Sequence, residues 1–328
     1  MVLALLQSRW TVFHNPISVM KEDFLLENFL SFAENCKSST IEHMNQPEIT
    51  IKGKTFRFVR ASRRSNVGVY TSGELYARIG GQQTIQSILT LHKKFESFDF
   101  PVPEIVSAGD IGGSAYFLEK SLGEKCFSFL FRDDIEKYGK ISSETFEKFL
   151  AITEKFARAQ IQSKVSDPQL LSTEKLIRPQ TLAEELPEFQ EKILGRFEKV
   201  VSELAELPGV LTHGDFNSHN LFPTGVIDFE HEHYLPFGYD LVTNIFHIKY
   251  FPVSRNYEFY QFYSFDEKHT GVYYERLDAL FLELGLPLLS KFREAFEYCR
   301  AVWLTENNHS APKFQQWRYE LFKTEYLL

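Results

Sequence analysis

The sequence predicts an α+β fold in two lobes, a small antiparallel β-sheet lobe with one helix and a larger, mainly helical lobe. Two observations support this prediction. Short β-forming runs separated by turn signals fill the segment 48–79. From residue 143 onward, apolar side chains recur mainly at helical intervals. We place the boundary near Ser121, which gives an N-terminal lobe at 1–121 and a C-terminal lobe at 122–328.

Each element of the small lobe is predicted from its local pattern. The strands are short and rich in β-branched and aromatic residues, and Gly53 and Gly73 mark two of the turns between them. The predicted elements are, in order, a helix at 21–32, strands at 48–51, 55–59, 67–70 and 74–79, a helix at 82–98 and a strand at 115–119.

The larger lobe is predicted to consist mainly of helices filled with Phe. The chain contains 32 Phe residues, many of them at helical spacing. The predicted helices lie at 143–163, 184–204, 241–246, 273–284, 288–305 and 314–327. Eight aromatic residues crowd the segment 250–265, and we interpret them as packed core. An aromatic cage for a protonated or quaternary amine is the alternative.

The composition is that of an ordinary globular protein and argues against nucleic-acid binding. At 328 residues the chain can bury a sizeable core, and 43% hydrophobic with 24% charged residues is unremarkable. A formal net charge of −8 argues against a partner with a phosphate backbone. An acidic surface mildly favours cationic substrates without selecting one.

The cysteines and the apolar runs predict a cytoplasmic protein that does not bind membranes. Cys36, Cys126 and Cys299 are far apart and lack C-x-x-C spacing, so neither disulfides nor a zinc framework is expected. The opening run 1–6 is apolar but has no basic residues before it. No later apolar run reaches transmembrane length.

One stretch carries a recognisable chemistry. Asp215 and Asn220 are separated by four residues, and Asp228 follows two short β-forming runs that flank the turn-rich segment 223–225. A tight hairpin there would bring Asp228 beside Asn220. The result would be one separate carboxylate, from Asp215, next to a carboxamide–carboxylate pair.

Phosphoryl transfer uses this set of groups. One carboxylate positions the acceptor hydroxyl and takes its proton, while an amide oxygen and a second carboxylate hold Mg²⁺ on the phosphates. Asp215 would then be the base, and Asn220 and Asp228 would be the metal ligands. The alternative is a polar hairpin whose Asp and Asn side chains only cap turns.

Three motifs together resemble the aminoglycoside phosphotransferase/choline kinase family. They are His213-Gly-Asp215-x-x-x-x-Asn220, Ile227-Asp228-Phe229-Glu230 and Tyr239-Asp240-Leu241. The resemblance implies a kinase-like fold and phosphorylation of small-molecule hydroxyls, with ATP or GTP as donor and Mg²⁺ as cofactor. It assigns Asp215 as base and Asn220 with Asp228 as metal ligands.

The same resemblance suggests roles for neighbouring residues. His213 and Asp240 would brace the loop, and Glu230 would help with a second metal or with the substrate. His219 is expected to face the acceptor or to stabilise the loop. His231 and His233 alternate with acidic residues in a pattern that also suits zinc, but the phosphotransferase pattern already explains those carboxylates.

The nucleotide-binding expectations in the small lobe rest on the family resemblance. Ser65 and Asn66 stand in the expected phosphate-covering loop, for which a plain basic turn is the alternative. Glu119 and Ser121 stand at the expected hinge, where the backbone would bond adenine, although a bare strand and turn fits equally well.

Arg78 departs from the family pattern. It stands where a strand lysine contacts the α- and β-phosphates, and arginine is planar and larger than lysine. The helix positions for the usual glutamate partner carry Gln82, Gln83 and Gln86, so that ion pair is expected to be missing. Either Arg78 binds phosphate with a glutamine partner, or nucleotide binding is impaired.

The sequence therefore predicts Mg²⁺-dependent transfer of the γ-phosphate of ATP or GTP to a small-molecule hydroxyl. The acceptor stays open among aminoglycosides, choline-like amines, sugars and amino alcohols. The alternative function is a non-catalytic nucleotide- or metabolite-binding protein that kept the fold. Arg78 and the absent helix glutamate motivate this alternative, and the complete Asp215, Asn220 and Asp228 set argues against it.

Overall fold

A computed structural model of the chain provides the structure. It describes residues 46–61, 67–165, 173–229, 233–306 and 311–328. The predicted helix at 21–32 and the candidate residues Ser65, Asn66 and Glu230 lie outside these ranges.

The chain divides into two compact units. The first unit comprises 1–89 and 104–121, and the second comprises 90–103 and 122–328. The first unit is built around a sheet and the second is mainly helical, so the predicted α+β fold is confirmed. None of the helices in the described ranges is both long and apolar enough to cross a membrane.

The first unit contains a six-stranded antiparallel sheet within its described part. In the sheet the strands follow the order β1-β2-β3-β4-β6-β5. They span Glu48–Ile51 (β1), Lys54–Ala61 (β2), Gly68–Thr71 (β3), Leu75–Gly80 (β4), Ile105–Ile111 (β5) and Ser114–Lys120 (β6).

Alternating side chains give this sheet two apolar faces. Tyr116 and Leu118 of β6 belong to one buried cluster, together with Phe56 of β2. Their neighbour Phe117 belongs to another, with Ile85 of the helix Gln82–Glu96 (α1). Successive strand residues point to opposite faces, so one strand contributes to both clusters.

Helices dominate the second unit. They span Phe127–Tyr138 (α2), Ser143–Gln162 (α3), Thr173–Ile177 (α4), Pro179–Glu185 (α5), Gln190–Leu204 (α6), Tyr239–Phe246 (α7), Glu267–Glu283 (α8), Arg293–Thr305 (α9) and Pro312–Phe322 (α10). Two pairs of short antiparallel strands accompany them. These are Gly209–Thr212 (β7) with His233–Pro236 (β10), and Leu221–Phe222 (β8) with Gly225–Val226 (β9).

Phenylalanine fills the core of the second unit, as the composition predicted. Phe156 of α3 stacks on Phe216 at a centroid distance of 4.0 Å. Phe100 contacts Phe156 at 5.2 Å and Phe95 at 4.9 Å, and Phe95 in turn lies 4.3 Å from Phe229. Aromatic pairs at such separations stabilise the fold beyond the apolar area they bury. At one end of this chain of rings, Phe216 directly follows Asp215 in the sequence.

Two helical regions differ from the prediction for identifiable reasons. The sequence reading placed no helix at α2, because Cys126 precedes it without a side-chain capping bond and so provides no start signal. The predicted helix at 184–204 is two helices, since Pro187 separates α5 from α6.

The β8–β9 hairpin approaches the backbone of the preceding segment very closely. The Val226 amide donates to the Pro101 carbonyl at 2.8 Å. A Cβ added at Gly225 would lie 2.5 Å from the same carbonyl oxygen and 2.9 Å from a methyl carbon of Leu122. Only glycine therefore allows this contact, which fixes the hairpin between Asn220 and Asp228.

We expect Gly225→Ala to lower the free energy of unfolding by about 1–3 kcal/mol, because overpacking against a fixed carbonyl forces the backbone to move. Gly195→Ala is the matched control, since Gly195 lies inside α6 and an added Cβ meets nothing within 4 Å. It should stabilise by roughly 0.5–1 kcal/mol through helix propensity. Urea unfolding of both variants checks the prediction. Equal changes in the free energy of unfolding would show that the close contact at Gly225 does not exclude a larger side chain.

Candidate functional site

The segment 213–220, which we call the Asp215 loop, connects β7 to β8. Strand β7 is entirely buried and pairs with β10, with Thr212 opposite His233. The loop therefore starts from a fixed point inside the second unit. Gly214 has a φ of +78°, which favours glycine and turns the chain at the start of the loop.

The buried carboxylate of Asp240 holds the start of the Asp215 loop. Its oxygens accept the backbone N–H of His213 at 2.7 Å and of Gly214 at 3.0 Å. The Gln160 amide donates to it at 2.8 Å. Burial raises the pKa of Asp240, while His213 and the two N–H donors act in the opposite direction. Every one of these partners is buried, so the arrangement is held without help from solvent.

The imidazole of His213 links the loop to the hairpin. Its Nε2 lies 2.7 Å from the Ile227 carbonyl, and its Nδ1 lies 3.3 Å from the Asp215 amide. In this arrangement Nε2 faces the carbonyl oxygen and Nδ1 accepts the Asp215 N–H. The ring also lies 4.8 Å from the Phe229 ring.

Asn220 folds back onto the backbone of Asp215. Its Nδ2 donates to the Asp215 carbonyl at 3.0 Å, next to a similar bond from Asn217 at 3.1 Å. With the nitrogen so used, Oδ1 of Asn220 makes no hydrogen bond to any described residue. The loop thus presents an amide oxygen in a fixed orientation.

The hairpin returns the chain to Asn220 at Ile227, the residue before Asp228. The Ile227 amide donates to the Asn220 carbonyl at 3.0 Å, continuing the Leu221–Val226 pairing. Asp228 follows with a φ of +65°, a left-handed conformation that is rare for a residue with a side chain. Such strain is retained where the surroundings require it, and it is common at functional sites.

No sequence motif indicates the residue that pairs with Asp215. Arg300 of α9 is fully buried and donates from Nη2 to Oδ1 of Asp215 at 2.8 Å. The Asp215 side chain keeps 46% of its surface accessible. Burial would raise the pKa of Asp215, but the charge of Arg300 and its hydrogen bond outweigh this effect and lower that pKa to about 2. Arg300 lies 85 positions from Asp215, so no local motif could have indicated it.

His219 lies on the solvent side of the loop. Its amide donates to Oδ1 of Asn217 at 2.9 Å, and its Nε2 lies 3.3 Å from the Ser128 hydroxyl of α2. Ser218, the preceding residue, bonds the buried hydroxyl of Tyr263. These contacts place His219 in a small polar group formed by the loop, α2 and the aromatic segment.

In the first unit, Arg78 has a glutamate partner that the sequence analysis did not predict. Nε of Arg78 donates to Oε1 of Glu119 at 2.8 Å, with both side chains largely buried. The glutamate comes from β6, next to β4 in the sheet, and not from α1. Sequence reasoning sought the partner on the helix because kinases place it there.

The expected hinge at Ser121 has its amide already bonded. The Ser121 N–H donates to the Glu74 carbonyl at 2.8 Å, and the Lys120 N–H donates to the Glu104 carbonyl at 2.9 Å. These two bonds extend the pairing of β6 with β4 and β5. A purine base at this position would therefore have to use other groups.

Part of the aromatic segment packs into the core, whereas Phe259 is exposed. Tyr250 and Tyr263 are buried, and Phe265 stacks on Phe149 at 5.6 Å. Rings nearer the surface already face cations of the same chain, such as Phe262 beneath Arg132. Among the described residues, no group of three His, Cys, Asp or Glu side chains forms a metal site.

Comparison with known proteins identifies the family. The family described as "Phosphotransferase enzyme family" matches residues 66–268. The chain belongs to this phosphotransferase enzyme family, which confirms the resemblance seen in the motifs. No curated protein sequence matches the chain.

Several solved structures are similar to the chain. An aminoglycoside phosphotransferase from Streptomyces rimosus, in complex with ADP and streptomycin, shares 12% identity at a TM-score of 0.46, covering 85% of this chain and 98% of that one. A choline/ethanolamine kinase family protein from Mesorhizobium loti shares 13% identity at 0.42, covering 89% and 94%. These values are too low to transfer substrates or residue roles.

We expect Asp240→Asn to destabilise the protein by about 2–4 kcal/mol, because the carboxamide cannot accept all the bonds and leaves a buried N–H unpaired. Gln160→Leu is the milder comparison, since it removes one donor but leaves both backbone N–H groups of His213 and Gly214 bonded. Thermal unfolding of the two variants gives the ranking. If Gln160→Leu proved the more damaging change, the two backbone bonds would not be the main restraint on the loop.

Proposed function

We propose that this enzyme transfers the γ-phosphate of ATP or GTP to a hydroxyl group of a small molecule, with Mg²⁺ as cofactor. The observation that carries the proposal is the arrangement of Asp215, Asn220 and Asp228. The Asn220 amide is bonded to the Asp215 carbonyl, and the hairpin brings Asp228 back beside Asn220. These bonds support our inference that one carboxylate and one carboxamide–carboxylate pair share a single small site.

The donor set fits Mg²⁺. This cation prefers hard oxygen ligands and is usually held by one or two carboxylates together with phosphate oxygens. Asn220 supplies an amide oxygen whose nitrogen is used elsewhere, and Asp228 supplies a carboxylate at a strained backbone position. We assign both residues as the metal ligands. When bound, the ion would neutralise charge that develops on the β- and γ-phosphates.

Asp215 is the group that we assign to the acceptor. One of its oxygens, Oδ1, accepts from Arg300, and the carboxylate remains partly open to solvent. An acceptor hydroxyl bonded to Oδ2 would be oriented for attack and would lose its proton to the carboxylate. His213 and Asp240 support this function by holding the backbone on either side of Gly214.

We assign nucleotide binding to the lobe 1–121 and the acceptor site to the lobe 122–328. Arg78 is the proposed phosphate ligand of the first lobe, oriented by Glu119. His219 and the polar group around it are our candidates for contact with the acceptor. A cytoplasmic protein agrees with the described cysteines, Cys126 and Cys299, which are free and buried.

A non-catalytic binding protein is the second candidate. The observation that favours it is the Arg78–Glu119 pair, because a carboxylate that neutralises Arg78 also weakens its attraction for phosphate. The acceptor would then be a ligand and not a substrate. Turnover by the wild-type protein separates the two candidates.

We expect Asp215→Asn to lower turnover by about 10²–10⁴-fold, because it removes the base that orients and deprotonates the hydroxyl. The assay follows phosphate transfer from ATP and GTP to a panel of aminoglycosides, choline, amino alcohols and sugars, with phosphate release to water as background. ATP affinity, measured by calorimetry, should stay within about threefold because the substitution lies outside the metal pair.

Asp228→Ala is the complementary variant in the same experiment. It should weaken nucleotide binding in the presence of Mg²⁺ and have little effect without it, because it removes a metal ligand and leaves the protein's own phosphate contacts. Unchanged turnover in Asp215→Asn would eliminate the proposed mechanism. Nucleotide binding without turnover in the wild type, for every acceptor on the panel, would favour the non-catalytic protein.

The Arg78–Glu119 pair provides a separate test of the nucleotide site. We expect Arg78→Met to weaken ATP binding by about 10- to 100-fold, since a hydrogen bond to a charged group contributes roughly 1.5–3 kcal/mol. Arg78→Lys should recover part of this loss because it keeps the charge but not the fork. Calorimetric titration with ATP measures all three proteins. Equal affinity in wild type and Arg78→Met would show that Arg78 serves the sheet alone.

A further inference from the structure

The guanidinium of Arg300 makes three polar contacts at the Asp215 loop and its surroundings. Nη1 donates to the Gly214 carbonyl at 3.2 Å, and Nη2 donates to Oδ1 of Asp215 at 2.8 Å. Nη2 also lies 3.0 Å from Nδ1 of His247. Arg300 thus binds both the main chain and the side chain of the segment that carries the proposed base.

The surroundings of Arg300 leave it little freedom to move. Its side chain is fully buried, and its guanidinium carbon lies 3.9 Å from the centroid of the Trp303 ring on the same helix. Burial and the nearby guanidinium lower the pKa of His247 well below its usual value, so that ring is neutral and accepts. A planar fork held at several points fixes the direction of each N–H.

This geometry leaves the two carboxylate oxygens of Asp215 in different situations. Oδ1 is engaged by Arg300, whereas no hydrogen-bond donor among the described residues engages Oδ2. Because nearly half of the Asp215 side chain is accessible, Oδ2 is the oxygen that an acceptor can use. The buried Arg300 therefore determines that Oδ2 is the oxygen of Asp215 left open to an acceptor.

We propose that Arg300 is a positioning residue that fixes the Asp215 carboxylate, with Oδ2 presented to the acceptor hydroxyl, through its bonds to Oδ1 and to the Gly214 carbonyl. The proposal rests on the assignment of Asp215 as the base. Arg300 lies beyond residue 268, where the family match ends, so the family alone does not supply it. It acts through Asp215 and contacts neither the nucleotide nor the acceptor.

Arg318 offers a matched control. It is an arginine of α10 that is equally buried, and it bonds the carbonyls of Tyr250 and Leu304 without any contact to the Asp215 loop. Arg318→Met therefore removes the same kind of side chain from the same core. Any effect found in Arg300→Met but absent from Arg318→Met comes from the loop and not from general loss of stability.

The experiment combines kinetics with hydrogen exchange. For Arg300→Met we expect kcat to fall about 100-fold with KM for ATP within about threefold, since a misplaced group about 1 Å from its position costs this much in rate. Arg300→Lys should recover only part of the loss. The lysine keeps a charged donor for Oδ1 of Asp215, but it cannot bond the Gly214 carbonyl at the same time. Arg318→Met should leave kcat within about threefold at temperatures where it stays folded.

Amide exchange of the segment 209–222, followed by mass spectrometry, needs no acceptor. Arg300→Met should raise the exchange rate in this segment by about tenfold, because a charge-assisted bond to the loop is lost, while Arg318→Met should not. An unchanged exchange rate in Arg300→Met, or a higher kcat, would overturn the proposal. A wild-type protein with no transfer activity would overturn the proposed function instead, and the exchange result would still decide the role of Arg300.

Discussion

The buried carboxylate of Asp240 is the point on which the site depends. It accepts two consecutive backbone N–H groups at the start of the Asp215 loop and is itself held by Gln160 of α3. A loop with positive φ at Gly214 would otherwise leave those amides unpaired in the interior, which is costly. The carboxylate therefore compensates for the turn that exposes Asp215. The contacts of residues 215–220 all follow that turn along the chain.

In both units, a buried charge is neutralised by an arginine–carboxylate pair. Arg78 is paired with Glu119 and Arg300 with Asp215, each pair having at least one largely buried member. A charge removed from water must be compensated nearby, and a guanidinium is the cation that tolerates this best because it is weakly hydrated and bonds in several directions. In each pair, one partner is a residue that we assign to phosphate transfer. The partners that neutralise them come from unrelated parts of the chain.

Local patterns allowed the motif residues and most elements to be predicted, because hairpins, strands and amphipathic helices are encoded by residues close in sequence. Asn220 and Asp228 are joined by such a hairpin, and their proximity could be expected from the turn at 223–225. Pairs between residues far apart in the sequence could not be predicted from local patterns. The partner of Arg78 was sought on a helix and lies on β6, and Arg300 was not foreseen because it reaches Asp215 from a helix far along the chain.

The location of Arg300 has a consequence for how such enzymes diverge. The segment that defines the family ends at residue 268, yet the guanidinium against Asp215 is contributed by a later helix. A mutation in α9 that alters packing around Trp303 could disturb the Asp215 carboxylate, which we assign as the base, without changing any motif residue. In this chain, substitutions in a C-terminal helix could therefore change activity while the motif remains intact. A comparison of the motif residues alone would not detect such a change.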